Sequence, residues 1–243
     1  MRYIGGKSKI AKELARQIRL RTNATEIYEP FMGGGAMTER LSEVFDVVHP
    51  SDLSPDIVAL WRVAANGWQP TTDISEAEYQ RMKSDPVPSA YRGFVGFGCS
   101  FGGKWFGGYA KGGFNADGTP RNHRGESSRA VARIGSAIAT ATKGGELVYH
   151  RSYEETPIIP GTAIYCDPPY QDTQGYDAVS GFDSEAFWEW VRHASRAGVD
   201  VFVSEYSAPG DFAKVWERSK IKTLTTTGQG RGVATEGLWV YVG

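Results

Sequence analysis

The chain of 243 residues is short of the residue types that would staple it or hold a metal. It has two cysteines, Cys99 and Cys166, which give neither a disulfide framework nor a paired metal motif. Its four histidines, His49, His123, His150 and His193, are scattered without zinc-ligand spacing, so no metal is expected. No apolar run is long enough to span a bilayer and no secretory leader is legible, which predicts a soluble, reducing, cytoplasmic setting. Net charge is −1, with a pI near 6.4, so any basic surface for a polyanion must be local. A full dinucleotide fingerprint is missing too: Met37 and Thr38 follow Gly35, which argues against a nicotinamide dehydrogenase. Gly5-Gly6-Lys7-Ser8 has the look of a phosphate-loop ending, but the earlier glycine would fall at Met1 with no strand before it. A glycine turn feeding a helix is what remains there, with Tyr3 and Lys7 placed to close over a ligand.

What the chain does have is apolar strands that stop at acids. Ala163-Ile164-Tyr165-Cys166 reads as a buried strand ending in Asp167-Pro168-Pro169-Tyr170, with Cys166 a small core residue. Neither proline can donate to a sheet ladder, so the backbone leaves the sheet at Asp167 and is held stiffly. One carboxylate, the Pro168 carbonyl and the Tyr170 ring are thereby gathered at a strand's carboxyl end, where open α/β sheets place ligands. Two acceptors beside an aromatic face suit a flat base bearing an amino group. Residues 27–31 form a second strand candidate, running through Glu29, Pro30 and Phe31 into the turn Gly33-Gly34-Gly35 and a helix to about residue 45. A third, 47–52, ends in Asp52, placed about 20 residues past the glycine turn like a ribose-binding acid. Ser54 caps the next helix with Pro55 in its first turn, and Asp56 is expected to complement the helix dipole.

Residues 66–145 differ in character. The stretch 91–114 is dense in glycine and aromatics. Between positions 92 and 133, Arg92, Lys104, Lys111, Arg121, Arg124, Arg129 and Arg133 face only Asp117 and Glu126. That local excess suits a phosphate backbone, and Trp105 and Tyr109 among the cations suit stacking on or wedging beside a base. Glycine at this density is expected to build a poor core, which favours nucleic-acid contact over packing. An Ala-rich helix near 127–142 returns the chain to a strand at 146–149. Beyond residue 170 a mobile loop to Phe182 is expected over the site. A helix capped by Ser184 follows, with Phe187, Trp190, Val191 and Ala194 inward and His193 outward. A buried strand at 201–204 comes next, and segments 221–227 and 238–242 are expected to pair antiparallel at the sheet edge. Alternating strands and helices predict an α/β, Rossmann-like and mostly parallel sheet.

In this order the pieces resemble the Dam-type DNA adenine methyltransferases, a family that uses S-adenosylmethionine. Tyr3-x-Gly5-Gly6-Lys7 resembles the family's N-terminal cofactor motif. Glu29-Pro30-Phe31-x-Gly33-x-Gly35 is similar to its glycine motif, and Ser51-Asp52 to its ribose-binding acid. Ser152-Tyr153 stands where a pair near the cofactor's adenine is found. Asp167-Pro168-Pro169-Tyr170, followed by Thr173, Tyr176 and Phe182, resembles the catalytic motif, and Val203-Ser204 the strand after it, although Glu205 replaces the usual Asn. The resemblance implies a class I methyltransferase fold, with residues 1–65 and 146–243 catalytic and 66–145 an inserted target-recognition region. It implies adenine N6 methylation of double-stranded DNA by base flipping. Asp167, Pro168, Pro169 and Tyr170 would be catalytic; Tyr3, Lys7, Glu29, Pro30, Phe31, Gly33, Gly35, Asp52, Ser152, Tyr153 and Asp167 would hold the cofactor. Arg92, Lys104, Trp105, Tyr109, Lys111, Arg121 and Arg124 would meet DNA. The acid-Pro-Pro-aromatic motif also occurs in RNA base methyltransferases, and a catalytically dead nucleic-acid-binding fold is a further alternative. A bacterial or phage-infected cell is the expected setting, with a phage, mobile-element or restriction-modification role.

Overall fold

A computed structural model describes residues 1, 3, 5–112, 118–119, 122–143, 145–169, 181–221 and 233–243. Seven strands form one sheet in the order β3-β2-β1-β4-β5-β7-β6. They are β1 (Glu26–Glu29), β2 (Val47–Asp52), β3 (Tyr149–His150), β4 (Ala163–Cys166), β5 (Asp200–Glu205), β6 (Phe212–Ile221) and β7 (Val233–Tyr241). β3, β2, β1, β4 and β5 run parallel, and β7 and β6 close the edge antiparallel, as expected. This is an α/β, Rossmann-like sheet, mostly parallel with one antiparallel edge pair.

β4, at the centre of the sheet, is apolar throughout because helices cover both faces. All four residues of β4 are buried, Cys166 among them, and burial pushes its thiol well above the ordinary range. One face packs under α1 (Ala11–Arg19) and α2 (Ala36–Leu41), where Leu14, Ile18 and Leu41 meet Ile27, Tyr165 and Phe202. α7 (Ser184–Arg196) sends Phe187, Val191 and Ala194 onto Ile164 and Val203. Asp183, one residue before the expected Ser184, is its cap, accepting from the Glu185 and Ala186 amides. His193 is on the exposed side. Some boundaries differ from the sequence reading: α2 ends at Leu41, β3 has two residues, and β6 begins at Phe212.

α3 (Pro55–Ala65) is capped by Ser54 and carries Asp56 in its first turn, both as expected, but Asp56 has a further role. It is buried, accepts from the Ser89 amide and pairs with Arg92 at 2.6 Å, tying the next segment to α3. That segment carries α4 (Glu76–Ser84), α5 (Ala90–Gly93), a π turn at Phe94–Gly98 and the long α6 (His123–Ala141). Its aromatics build a core after all: Phe94, Phe97 and Phe106 are buried in one cluster with Trp61 and Leu60 of α3 and Ile134 of α6. Glycine makes this possible by letting rings and backbone approach closely. A Cβ on Gly93 would stand 2.5 Å from the Asp56 carbonyl oxygen, and one on Gly96 would overlap the Trp105 ring.

Candidate active site

The carboxyl ends of β1, β2 and β4 open into one cavity of about 1020 Å³. Its wall includes Gly33 and Gly34 of the glycine turn, Asp52 at the end of β2, and Asp167, Pro168 and Pro169 after β4. The glycine turn and the acid-Pro-Pro corner, far apart in the sequence, therefore face one space.

The glycine turn is shaped by what it packs against. Gly33 has φ +44°, and a Cβ there would stand 2.7 Å from Cε1 of the Tyr3 ring. The Tyr3 ring in turn lies 4.6 Å from that of Phe97. The Gly33 amide donates to Asp52 Oδ2 at 2.8 Å, the Ser54 amide donates to Oδ1 at 2.9 Å, and Trp61 Nε1 donates to the Gly33 carbonyl. Burial outweighs those amide bonds and pushes the Asp52 carboxyl up to about 6. Gly35, at φ +71°, begins α2 against Ile134 and Trp61 and is not part of the cavity wall.

Glu29, at the end of β1, is buried and accepts from Thr38 Oγ1 at 2.6 Å. Burial holds its carboxyl well above the usual range, with Asp167 and Asp52 adding repulsion. Pro30 and Phe31 follow it along the wall. The Phe31 ring stacks on Tyr153 at 5.7 Å, and Phe182 stands edge-on to Phe31 at 6.1 Å. Ser152 caps the short turn carrying Tyr153, and both line the cavity.

Lys7 is turned inward from its glycine turn. It is 2% exposed, with Nζ 2.5 Å from Asp167 Oδ1 and 3.2 Å from Glu236 Oε1 on β7. Burial acts to lower its pKa, but the two carboxylates prevail and raise it. Glu236 was absent from the sequence reading, although a signal existed: it alternates with buried Leu238 and so shares its face of β7. Glu205 ends β5 close by. Burial pushes its carboxyl up to about 7, against the hydrogen bond from the Tyr206 amide.

The residues assigned to DNA are less uniform. Arg92 and Trp105 border the cavity, with the guanidinium over the Trp105 ring at 4.9 Å while it pairs with Asp56. Tyr109 donates to the Ile74 carbonyl, and Arg124 donates to the Thr72 carbonyl and to Tyr109. Those two brace the segment internally. Lys111 is exposed and pairs with Glu76 at 3.0 Å, and Lys104 is half-buried. Arg121, Tyr170, Thr173, Tyr176 and the loop at 170–180 lie outside the described residues, as does 222–227 of the expected edge strand. Phe101, which the sequence reading did not single out, is 76% exposed beside Gly102 on the cavity rim. Among the described residues no group of His, Cys, Asp or Glu could hold a metal ion, and no helix is long and apolar enough to cross a membrane.

Chemically, Glu29, Asp52 and Asp167 gather about one inward lysine at the strand ends, and acids outnumber Lys7, Arg92 and Arg133 over the whole wall, so the space favours a cationic ligand. The Phe31–Tyr153–Phe182 rings offer a surface for a planar group.

An acid-Pro-Pro corner thus faces a glycine turn across one cavity at the carboxyl ends of the strands. Residues 3–91 match the model of the family described as D12 class N6 adenine-specific DNA methyltransferase. The matched segment contains Tyr3, Lys7, Glu29, Gly33 and Asp52, and over it the chain is similar to enzymes that methylate adenine in DNA. Among solved structures, the rRNA methyltransferase AviRa from Streptomyces viridochromogenes is similar at 13% identity and TM-score 0.41, covering 95% of this chain and 84% of that one. No curated protein matches the chain.

Proposed function

We propose that this chain is a Dam-type, site-specific DNA methyltransferase that transfers the methyl group of S-adenosylmethionine to the 6-amino group of adenine. The observation that carries this reading is the single cavity joining Asp167 and Pro168 to the Gly33 turn. The donor fits that cavity: three carboxylates suit its two cationic centres, and the ring cluster suits its adenine. Glu29 and the backbone of 31–33 would hold the methionine end, Asp52 the ribose, and Phe31, Ser152, Tyr153 and Phe182 the base. Tyr3 would shape the glycine turn rather than touch the donor broadside. When bound, S-adenosylmethionine supplies an electrophilic methyl group whose bond to sulfur breaks as the bond to nitrogen forms.

The chain's own task is to make a poor nucleophile attack. Adenine's amino lone pair is delocalised into the ring. Asp167 and the Pro168 carbonyl accept the two amino hydrogens, and Pro169 keeps that corner rigid, which draws the nitrogen toward tetrahedral geometry. The Asp167 carboxylate faces the positive charge that develops and takes up the proton the methylated nitrogen releases. The base reaches this corner by leaving the duplex, at a cost of a few kcal/mol, roughly offset by stacking that we assign to Tyr170. Residues 1–65 and 146–243 form the catalytic part in this reading, and 66–145 reads the target, with Lys104, Lys111 and Phe101 toward the duplex. A bacterial or phage-infected cytoplasm is the setting that follows.

The deciding experiment incubates the protein with methyl-labelled cofactor and unmethylated duplex DNA or structured RNA. Label in DNA, recovered as N6-methyladenine at one sequence, is the expected result. Label in RNA alone would reassign the substrate, and cofactor binding without transfer to either would mark a dead fold.

A further inference from the structure

Among the described residues, Lys7 is the one lysine buried at the carboxyl end of the sheet, and it lies between two carboxylates rather than beside one. A one-to-one buried pair would leave Asp167 largely neutralised by Lys7, a poor state for an acceptor of amino hydrogens. Glu236, 1% exposed, divides the same ammonium and leaves the three groups together with a net charge of about −1. Glu205 and Tyr206 face the group from the end of β5, Glu29 from β1 and Tyr165 from β4.

We propose that Glu236 is a positioning residue for methyl transfer: by sharing the Lys7 ammonium it keeps the Asp167 carboxylate strongly accepting and aimed at the target amino group. The inference rests on the proposed function, and it assigns the chemistry of that site to a strand distant in sequence from every motif of the resemblance. Glu236 touches neither substrate nor donor; it acts through Lys7. The negative charge it adds also stabilises the positive charge that develops at the reacting nitrogen.

The test uses the full chain with Glu236→Gln and Glu236→Asp variants, each first shown to unfold cooperatively. In single-turnover methylation of unmethylated duplex DNA, Glu236→Gln is expected to lower the transfer rate about tenfold or more while cofactor Kd stays within about twofold, and Glu236→Asp to recover part of the rate. The acid limb of the rate profile should move to lower pH in Glu236→Gln, because Asp167 then keeps Lys7 to itself. A carbon-13 carboxyl titration of Asp167 reads the same effect without any substrate, and its midpoint should fall in Glu236→Gln. An unmoved Asp167 midpoint, or equal losses of rate and cofactor affinity, would overturn the proposal. A wild-type protein that transfers no methyl group to any nucleic acid sinks the functional reading instead, while the titration still reports on the shared lysine.

Discussion

Lys7 Nζ and Asp167 Oδ1 are 2.5 Å apart although 160 positions separate them in the chain. The contact joins the turn before α1 to the corner after β4, so the two ends of the cavity form together. Removing the lysine should cost more than a surface ion pair would, because two carboxylates would lose their common partner. For Lys7→Met the loss is about 3–5 kcal/mol at pH 8. The deficit should shrink toward pH 5, since the orphaned acids then bind protons that the unfolded chain binds less tightly. Thermal unfolding of both proteins across that range checks this, and a deficit independent of pH would contradict it.

Asp167 and Asp52 should fail differently. Asp167→Ala is expected to abolish transfer while leaving cofactor Kd within a few-fold of wild type. Asp52→Ala should weaken cofactor binding by about tenfold or more, since it also removes the acceptor of the Gly33 and Ser54 amides. Calorimetry and single-turnover rates on both variants decide the matter, and parallel losses would refute the division of roles.

The Asp52 carboxyl, raised to about 6, makes cofactor affinity depend on pH. If the carboxylate is what binds the ribose hydroxyls, Kd should be flat above pH 7 and rise as pH falls through 6. An Asp52→Asn protein should lose that rise. The same inflection in the variant would place its origin elsewhere.

Glu205 has its folded pKa raised to about 7, above the ordinary carboxyl value of 4.5, so it binds protons more tightly folded than unfolded. Stability from this group is therefore present at low pH and is lost as pH rises from about 4.5 through 7. Glu205→Gln keeps an acceptor for the Tyr206 amide and removes the buried charge. It should stabilise the protein by about 1 kcal/mol at pH 8 and change little at pH 5. Denaturant titrations at the two pH values give the comparison.

Gly96→Ala tests the packing of the aromatic segment. The new methyl would overlap the Trp105 ring, which is itself held between Phe97 and Phe106 at 4.7 and 4.6 Å. A loss of about 2 kcal/mol or more is expected in denaturant unfolding, against roughly a few tenths for Gly210→Ala, where the space is open and φ is not left-handed. Equal small effects would mean that Trp105 moves freely.

The parts legible in the sequence were those with local causes. Apolar runs ending in Asp52 and Asp167, the glycine turn at 33–34 and the antiparallel edge announce themselves by alternation and by residues with few conformational options. What escaped depends on partners distant in the chain. The glycines at 93 and 96 read as too small for a core, yet their lack of a side chain is what admits Asp56 and Trp105. Asp56 looked like a dipole-facing acid until Arg92 arrived beside it from 36 residues away. The start of β6 was hidden by the register shift between Lys214 and Trp216, which breaks its alternation. Lys7, read as one of the residues that would hold the cofactor, lines the cavity and also meets Asp167 and Glu236, partners that no local pattern announces.

Because Arg92 and Trp105 help wall the same space as Gly33 and Asp52, residues 66–145 cannot be exchanged like a cartridge. On the proposed function, a chimera carrying another protein's segment would inherit a reshaped cavity along with any new target preference. Engineering a different recognition sequence should therefore begin at exposed positions such as Phe101 and Lys111, leaving the ring-lined floor beneath them intact.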